Sequence, residues 1–571
     1  MKQAHGAATR GGRHGPRLLA AIAGLAAVSG AALAQPDPGA ACAALAGRGV
    51  AAGAIGLPSG GATVTAATAV AASAAGRDAA SPAQPAQCRV LGTIAPVDPQ
   101  APPIRFQLNL PSPGDWNGKA VQYGGGGFNG VLITGLAPLR DAPPGAPTPL
   151  ARGYATFGTD SGHQNEALPD IQAFAANDEA LINFAYASYK KVRDVAVALI
   201  AAHYGGPPRR TYFFGGSEGG REGLLVAQRF PTDYDGVVSV VPVINWVGLQ
   251  LAGAHRGGTV QRDGGWLNGA QVGLLRRAVL AACDALDGLA DGIVGHVEAC
   301  AGAFDPAVLR CAGGGAGGDD CLSDRQLAAV AAIRAPYRLP FPLANGITEY
   351  PGYGYGGEDQ PDGMTVWLTG PEPPRVPPPA PERQGRIWYY GGGMIRHFIA
   401  RDPAFNPLGF DPVPFAARLR EVSALMDTTN PDLSAFLGRG GRLILKENLS
   451  DYAQSPQAGI AYHRSLVARM GQERVDGFVR LYTVPGANHA GRVFSGLDAA
   501  AMPSHVDLLS LLDAWTEEDR APPDVPVLTA HATEPPFAVT ASRPMCRWPA
   551  YPRHDGRGDP RQASSFACVP P

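Results

Sequence analysis

"TYFFGGSEGGREGLLVAQRF", residues 211–230, turns on one serine, Ser217, set between pairs of glycines. The residues before it, Thr211, Tyr212, Phe213 and Phe214, are β-branched or aromatic, as a buried strand requires. Those after it place Leu224, Leu225, Ala227 and Gln228 at helical spacing. A strand therefore meets a helix at Ser217. Gly215, Gly216, Ser217, Glu218 and Gly219 fit the G-x-S-x-G pattern, in which glycines let two backbone segments approach and the serine projects from a strained turn.

The chain of 571 residues is long enough for a large core and for more than one domain. Its 47 basic and 49 acidic residues give a formal net charge of -2, and no long basic run occurs. Nucleic-acid and anionic-membrane binding thus have no electrostatic support. The 75 glycines and 54 prolines are scattered among apolar segments without a repeat, which reads as long ordered loops.

Arg10, Arg13 and Arg17 precede the apolar run "LLAAIAGLAAVSGAALA", and Ala32, Leu33 and Ala34 stand before Gln35. This is the form of a cleaved signal peptide over residues 1–34, and the run is too short and too rich in Ala and Gly for a spanning helix. The expected location is secreted or periplasmic, with no stable membrane insertion. All eight cysteines lie beyond residue 34, and no C-x-x-C occurs. An even number in an exported chain favours disulfides. Nearest-neighbour pairing, the simplest of 105 schemes, joins Cys42 with Cys88, Cys283 with Cys300, Cys311 with Cys321, and Cys546 with Cys568.

From "IRFQLNL" (104–110) onward, strand-like segments alternate with helical ones such as "NFAYASYKKVRDVAVALIAAHY" (183–204), predicting an α/β fold with a mainly parallel sheet. The rhythm breaks near residue 245 and returns at "GRLILKENLSDYAQ" (441–454). The expected organisation is a signal over 1–34, an N-terminal region and first part of a hydrolase-type core over 35–246, an inserted lid over 247–425, and the rest of the core with a C-terminal tail over 426–571.

A serine hydroxyl needs a histidine to take its proton and a carboxylate to orient that histidine. In "LYTVPGANHAGR", His489 follows a strand-like run and a Pro-Gly turn, where a ring can reach over the sheet edge. His463 reads as a helix-face residue. Asp451 follows the strand "RLILK" and is the expected acid; Glu447 is the reserve, and Asp476 and Asp498 read as surface residues. The oxyanion donors are expected from the backbone of Glu218 and of the loop "GGGGFNG" (124–130), with Gly127 and Gly130 as candidates. No Lys-Ser/Thr pair follows that loop, which argues against a phosphate cradle.

Two further segments bear chemistry. "CDALDGLADGIVGHVEAC" carries Asp284, Asp287 and Asp291, with Asp-Gly turns that could aim the carbonyls of Leu289 and Ile293 inward. Oxygen-only donors suit calcium, and the alternative is a solvated, aspartate-capped turn. "QGRIWYYGGGMIRHFIARD" (384–402) sets Trp388, Tyr389, Tyr390 and Phe398 beside three glycines, either as rings that stack on a substrate or as lid core.

"WNGKAVQYGGGGFNG", "GTDSGHQ", the elbow "GGSEGGREGL", the acidic run, "KENLSDYAQSPQAGIAYHRS" and "PGANHAGR", in this order along the chain, resemble the tannase and feruloyl esterase family of secreted α/β-hydrolases over most of the chain beyond residue 34. The resemblance implies an ester hydrolase with Ser217 as nucleophile, Asp451 as acid, His489 as base, a lid that binds an aromatic acyl group, and a structural calcium in the lid. The chain departs from that family at two points. Gly216 and Ala490 stand where members carry a pair of disulfide-forming cysteines, and "KENLSD" replaces a His-Gly-Trp type sequence. The expected function is a secreted serine carboxylesterase that cleaves a small aromatic ester through an acyl-enzyme. The rivals are a serine peptidase or amidase on the same triad, and a non-catalytic binding protein on a hydrolase fold.

Overall fold

Because successive side chains of a strand point to opposite faces, the run Tyr212-Phe213-Phe214 feeds two cores at once. Tyr212 and Phe214 join Val238, Ile444 and Tyr482 on one face. Phe213 joins Leu224, Val237, Leu443 and Leu445 on the other. A strand apolar on both faces belongs inside a sheet covered by helices, and this one does.

The computed structural model describes residues 38–76, 81–262, 264–375, 383–495 and 502–571; the expected leader lies outside the described residues. The main sheet has ten strands: β1 (Gly49–Val50), β2 (Ala62–Val70), β3 (Gln87–Ile94), β4 (Ile104–Pro111), β5 (Lys119–Tyr123), β6 (Ala155–Thr159), β7 (Arg210–Gly216), β8 (Gly236–Val240), and, after a short ribbon of β9 (Tyr337–Arg338) and β10 (Glu349–Tyr350), β11 (Arg442–Asn448) and β12 (Val479–Val484). Their order is β1-β2-β3-β4-β6-β5-β7-β8-β11-β12. The six strands from β6 to β12 in this order are parallel neighbours. Strands β1 to β4, and β4 with β6, pair antiparallel.

The sheet is therefore more mixed than the sequence rhythm predicts. Among the described residues, the links between β2 and β3 and between β3 and β4 contain no crossover helix, the usual connection between parallel neighbours. Beyond β6, the helices Ser188–Tyr204, Glu218–Arg229 and Pro456–Met470 supply the crossovers. Helix Leu508–Glu518 covers the Tyr212 face through Leu508, Leu512 and Trp515. Two terminal ribbons follow, β13 (Val527–His531) with β14 (Val539–Pro544) and β15 (Tyr551–His554) with β16 (Phe566–Val569).

The inserted stretch leaves after β8 and returns at β11, which are adjacent in the sheet. The expected boundaries at 247 and 425 fall inside the helices Trp246–Gln261 and Ala416–Met426. Residues 38–571 are one compact unit. Helix Trp246–Gln261 packs on helix Arg386–Gly393 at very short range, because glycines face each other. A Cβ on Gly391 would lie 2.5 Å from the Gln250 carbonyl oxygen, and one on Gly253 would lie 2.8 Å from that of Ile387.

The four disulfides join nearest neighbours, Cys42–Cys88, Cys283–Cys300, Cys311–Cys321 and Cys546–Cys568. No helix among the described residues is long and apolar enough to cross a membrane. Cys42–Cys88 ties the short helix Pro38–Ala43 to β3. Replacing both cysteines by serine removes a cross-link of a size that contributes about 2–4 kcal/mol. Hydrogen exchange should then rise through residues 38–94 while β7 stays protected; unchanged exchange in that region would show that packing alone holds it.

Candidate active site

Ser217 adopts φ 59° and ψ -122° between β7 and helix Glu218–Arg229, a left-handed geometry that a non-glycine residue keeps only when its surroundings impose it. Its N–H donates to the Val240 carbonyl at 2.9 Å, and its own carbonyl accepts from Gly220 and Arg221. The turn closes because side chains are missing. A Cβ on Gly215 would lie 2.1 Å from the Gly219 carbonyl oxygen, and one on Gly219 would lie 2.7 Å from that of Gly125.

His489, on the loop after β12, brings Nε2 to 2.9 Å from Ser217 Oγ and Nδ1 to 2.7 Å from Asp451 Oδ2. Asp451 is buried; its Oδ1 accepts from the N–H groups of Ala453 and Gln454. A hydroxyl, an imidazole and a carboxylate in this chain can pass a proton from Ser217 to His489 while Asp451 fixes the ring. Glu447 lies behind, fully buried. Gln454 Nε2 reaches its Oε2 at 2.9 Å and Asp451 Oδ2 at 3.3 Å. Burial, then the neighbouring Asp451, pushes the Glu447 carboxyl well above the usual range. His463 is buried against Trp548, and Asp476 pairs with Arg547. Asp498 lies outside the described residues.

The glycine loop after β5 is anchored from two sides. Glu222 Oε2 accepts from the Gly125 N–H at 2.9 Å, and its Oε1 accepts from Asn129 Nδ2 and the Tyr189 hydroxyl. From "GTDSGHQN", His163 Nε2 pairs with the Phe128 carbonyl at 3.0 Å, and Asn165 Nδ2 donates to that of Asn129 at 2.8 Å. The amides of Gly127 and Glu218 have no hydrogen-bond partner among the described residues, and both residues line the cavity in front of Ser217. Gly130 corrects the sequence reading. Its N–H donates to the Asp160 carbonyl at 3.2 Å, so it is committed to the fold and is not a free donor.

The cavity holds about 580 Å³ and is walled by both core and insertion. Trp246, Trp367, Ile387 and Tyr390 provide its apolar surface, and exposed Arg386 and Arg492 also line it. The Trp367 ring stands edge-on to His489 with centroids 5.3 Å apart, and the Arg386 guanidinium lies 5.1 Å over the Trp367 ring. Of the four aromatic residues offered for the substrate, Tyr390 lines the cavity and the other three are elsewhere. Trp388 packs over Gly257 of the neighbouring helix, Tyr389 points its hydroxyl at Asp170 3.5 Å away, and Phe398 is fully buried against Phe128 and Trp246. Gly391 beside them serves contact with helix Trp246–Gln261, and Arg386, Ile387 and Tyr390 line the cavity. Trp246, Trp367 and Arg386 were missed; a lone tryptophan in "DGMTVWLTG" was the only signal for Trp367.

In the acidic loop, Asp284 accepts from the N–H groups of Asp291 and Gly292, and Asp291 pairs with Arg543. Asp287 is buried, and its Oδ1 accepts from Leu289 N–H; burial, then Asp291 and Asp284, pushes its carboxyl up to about 7. No three His, Cys, Asp or Glu among the described residues converge as a chelate. The donors are nonetheless all oxygen, and the buried carboxyl of Asp287, raised by burial and by its acidic neighbours, is one that a hard cation would suit.

The family model described as tannase and feruloyl esterase matches residues 88–569. The chain belongs to this family. It is 39% identical to an uncharacterized esterase of Agrobacterium fabrum, over 92% of this chain and 93% of that one. It is 33% identical to the mono(2-hydroxyethyl) terephthalate hydrolase of Piscinibacter sakaiensis, over 86% of each chain. The crystal structure of feruloyl esterase B from Aspergillus oryzae superposes with a TM-score of 0.73 at 21% identity, over 93% of this chain and all of that one. The α/β-hydrolase fold is thereby shared, and membership places the chain among the carboxylic ester hydrolases.

Glu222 is the buried carboxylate that ties the helix behind Ser217 to the glycine loop, and its removal takes the acceptor from the Gly125 N–H and one acceptor each from Asn129 Nδ2 and the Tyr189 hydroxyl. Glu222→Ala should lower kcat for an ester substrate by roughly 10- to 100-fold, toward the loss seen when an oxyanion donor is deleted, with KM changed much less. An unchanged kcat would show that the loop keeps its place without Glu222.

Proposed function

We propose that this member of the family is an exported serine carboxylesterase that cleaves esters of aromatic acids through an acyl-enzyme. The observation that carries the reading is the unbroken hydrogen-bonded chain Asp451–His489–Ser217 opening into an aromatic-walled cavity. Ser217 Oγ attacks the ester carbonyl as His489 Nε2 takes its proton, and the N–H groups of Gly127 and Glu218 stabilise the oxyanion. Collapse expels the alcohol, which receives that proton from His489. Water then repeats the sequence and releases the acid.

The names of the relatives support an aromatic acid as the acyl part, one acting on a terephthalate monoester and another on feruloyl esters. Trp367 and Tyr390 offer faces for such a ring, and Arg386 and Arg492 favour one that bears an acidic or hydrogen-bonding substituent. Export is supported by the leader-like start and by four disulfides. A calcium ion held by Asp284, Asp287, Asp291 and the carbonyls of Leu289 and Ile293 remains part of the proposal, supported by the oxygen donors and the buried charge of Asp287.

Ser217→Ala, His489→Ala and Asp451→Ala should each lower kcat by orders of magnitude without unfolding the protein, because a triad acts as a unit. A fluorophosphonate should label Ser217 in the parent. Absence of labelling and of turnover across aryl esters would favour a binding protein, and preferential cleavage of aryl amides would favour an amidase. In a panel of benzoate, cinnamate and short aliphatic esters, kcat/KM should be highest for aromatic acids and fall at least tenfold for acidic ones in Arg386→Ala. Faster cleavage of acetate or butyrate esters would sink the aromatic assignment.

Asp287 has a folded-state carboxyl near 7, above its unfolded value of about 3.9. Without a cation, folding therefore loses stability as pH rises from about 4 to 7. Calcium removes this loss, so its addition should raise the melting temperature more at pH 8 than at pH 5. No shift at either pH, with no metal found by elemental analysis, would return the loop to a solvated turn.

A further inference from the structure

Ser217 and His489 lie on loops that follow β7 and β12, with β8 and β11 between them in the sheet. No disulfide joins these loops, and Gly216 and Ala490 flank the two residues where a cross-link would stand. Two side chains pack instead beside Gly216 and beside Gly491, the neighbour of Ala490. A Cβ on Gly216 would lie 2.5 Å from Arg140 Cδ, and a Cβ on Gly491 would lie 2.4 Å from Asp141 Oδ1. Arg140 thus fills the place of a side chain beside Ser217, and Asp141 does the same beside the His489 loop.

Lys446 of β11 pairs with the second of them, Asp141. Its side chain is 1% exposed, and that of Asp141 is 3% exposed. Lys446 Nζ stands 3.0 Å from Asp141 Oδ2 and donates to Asn448 Oδ1 at 2.6 Å. Asn448 Nδ2 then donates to the carbonyl of Asn488 at 2.8 Å, one residue before His489. Asn488 closes its own turn, its Oδ1 accepting from Arg492 N–H at 3.0 Å and its N–H donating to the Arg492 carbonyl at 2.9 Å. Asp141 holds φ 64°, and its carbonyl accepts from Val506 N–H at 2.7 Å. A buried cation and its anion are strongly orienting because neither can turn to water.

We propose that Lys446 is a positioning residue, and that the strut Arg140–Asp141–Lys446–Asn448–Asn488 holds His489 in register with Ser217 in place of a covalent cross-link. Lys446 and Asn448 belong to "KENLSD", one of the two points at which the chain departs from the family pattern, and Gly216 and Ala490 are the other. Glu447, between them, serves the Asp451 side through Gln454 and takes no part in the strut.

The inference rests on Ser217 and His489 as the working pair, so its test has one arm that reads turnover and one that does not. With 4-nitrophenyl benzoate, Lys446→Met should lower kcat at least tenfold and leave KM within twofold, and Lys446→Arg should recover part of the loss. Asn448→Ala, which spares the ion pair, should lower kcat in the same sense, so the test survives a Lys446→Met that fails to fold. By hydrogen exchange, amides of residues 486–494 should exchange faster in both variants while β7 is unchanged. A cysteine pair, Gly216→Cys with Ala490→Cys and Arg140→Ala to make room, added to Asn448→Ala should restore slow exchange and kcat, and reduction with dithiothreitol should reverse both. Parent-like exchange and kcat in Asn448→Ala and Lys446→Met overturn the strut, as does a cross-link that forms and restores neither. Altered exchange in a protein whose turnover survives Ser217→Ala would leave the strut standing and sink the proposed catalytic pair instead.

Discussion

The active site depends on how closely three backbone segments approach one another at Ser217. Strand β7, the first turn of helix Glu218–Arg229 and the loop after β5 meet within van der Waals range at Gly215, Gly219 and Gly124, where a single Cβ would collide with a neighbouring main chain. Flexibility is not the use of these glycines. They remove bulk so that the serine can be held at a positive φ above the sheet. Once that approach is fixed, Glu222, one helical turn past Ser217, falls within reach of Gly125 and Asn129, and the glycine loop is drawn against the serine.

The same device recurs in the insertion. Gly253 and Gly391 let two helices pack backbone to backbone, which turns one face of helix Arg386–Gly393 to the cavity and the other to its neighbour. The consequence is that a residue such as Trp388 is spent on packing, whereas Ile387 and Tyr390 on the same short helix wall the site. The cavity is therefore not a property of the core or of the insertion alone. Trp367 of the insertion touches the histidine of the core, so closing the site and orienting His489 involve the same ring.

Charge beneath the site is unusual in kind. Three ionisable side chains, Lys446, Glu447 and Asp141, are buried near the triad, with Lys446 and Glu447 on opposite faces of β11. Lys446 and Asp141 neutralise each other, and Glu447, whose hydrogen-bond partner among the described residues is Gln454, is pushed by burial toward its neutral form. Desolvation on this scale is tolerated only where each charge is matched or discharged. That arrangement leaves Asp451 as the one carboxylate presented to His489.

Much of this was legible in the sequence because it is set by neighbours along the chain. The elbow is written in six residues, and the order of Ser217, Asp451 and His489 follows from strand ends, which apolar runs and turn residues mark. The four disulfides join the nearest cysteines, where short loops bring the partners together. What escaped was side-chain direction. Phe398 lies in a π-helical stretch, Met394–Ala400, whose five-residue repeat breaks the 3.6-residue phase on which a sequence reading of faces relies. Gly130 and Gly127 look alike in "GGGGFNG", yet one N–H is used by the Asp160 carbonyl and the other is left open. Lys446 carries a charge that no local pattern would bury. Its partner lies about 300 positions earlier, at Asp141. Sequence alone determined which segments become strand, turn and helix and which groups could react. Tertiary structure decided which of those groups face one another, because contacts between distant segments fix orientation and burial, and neither is a function of local sequence.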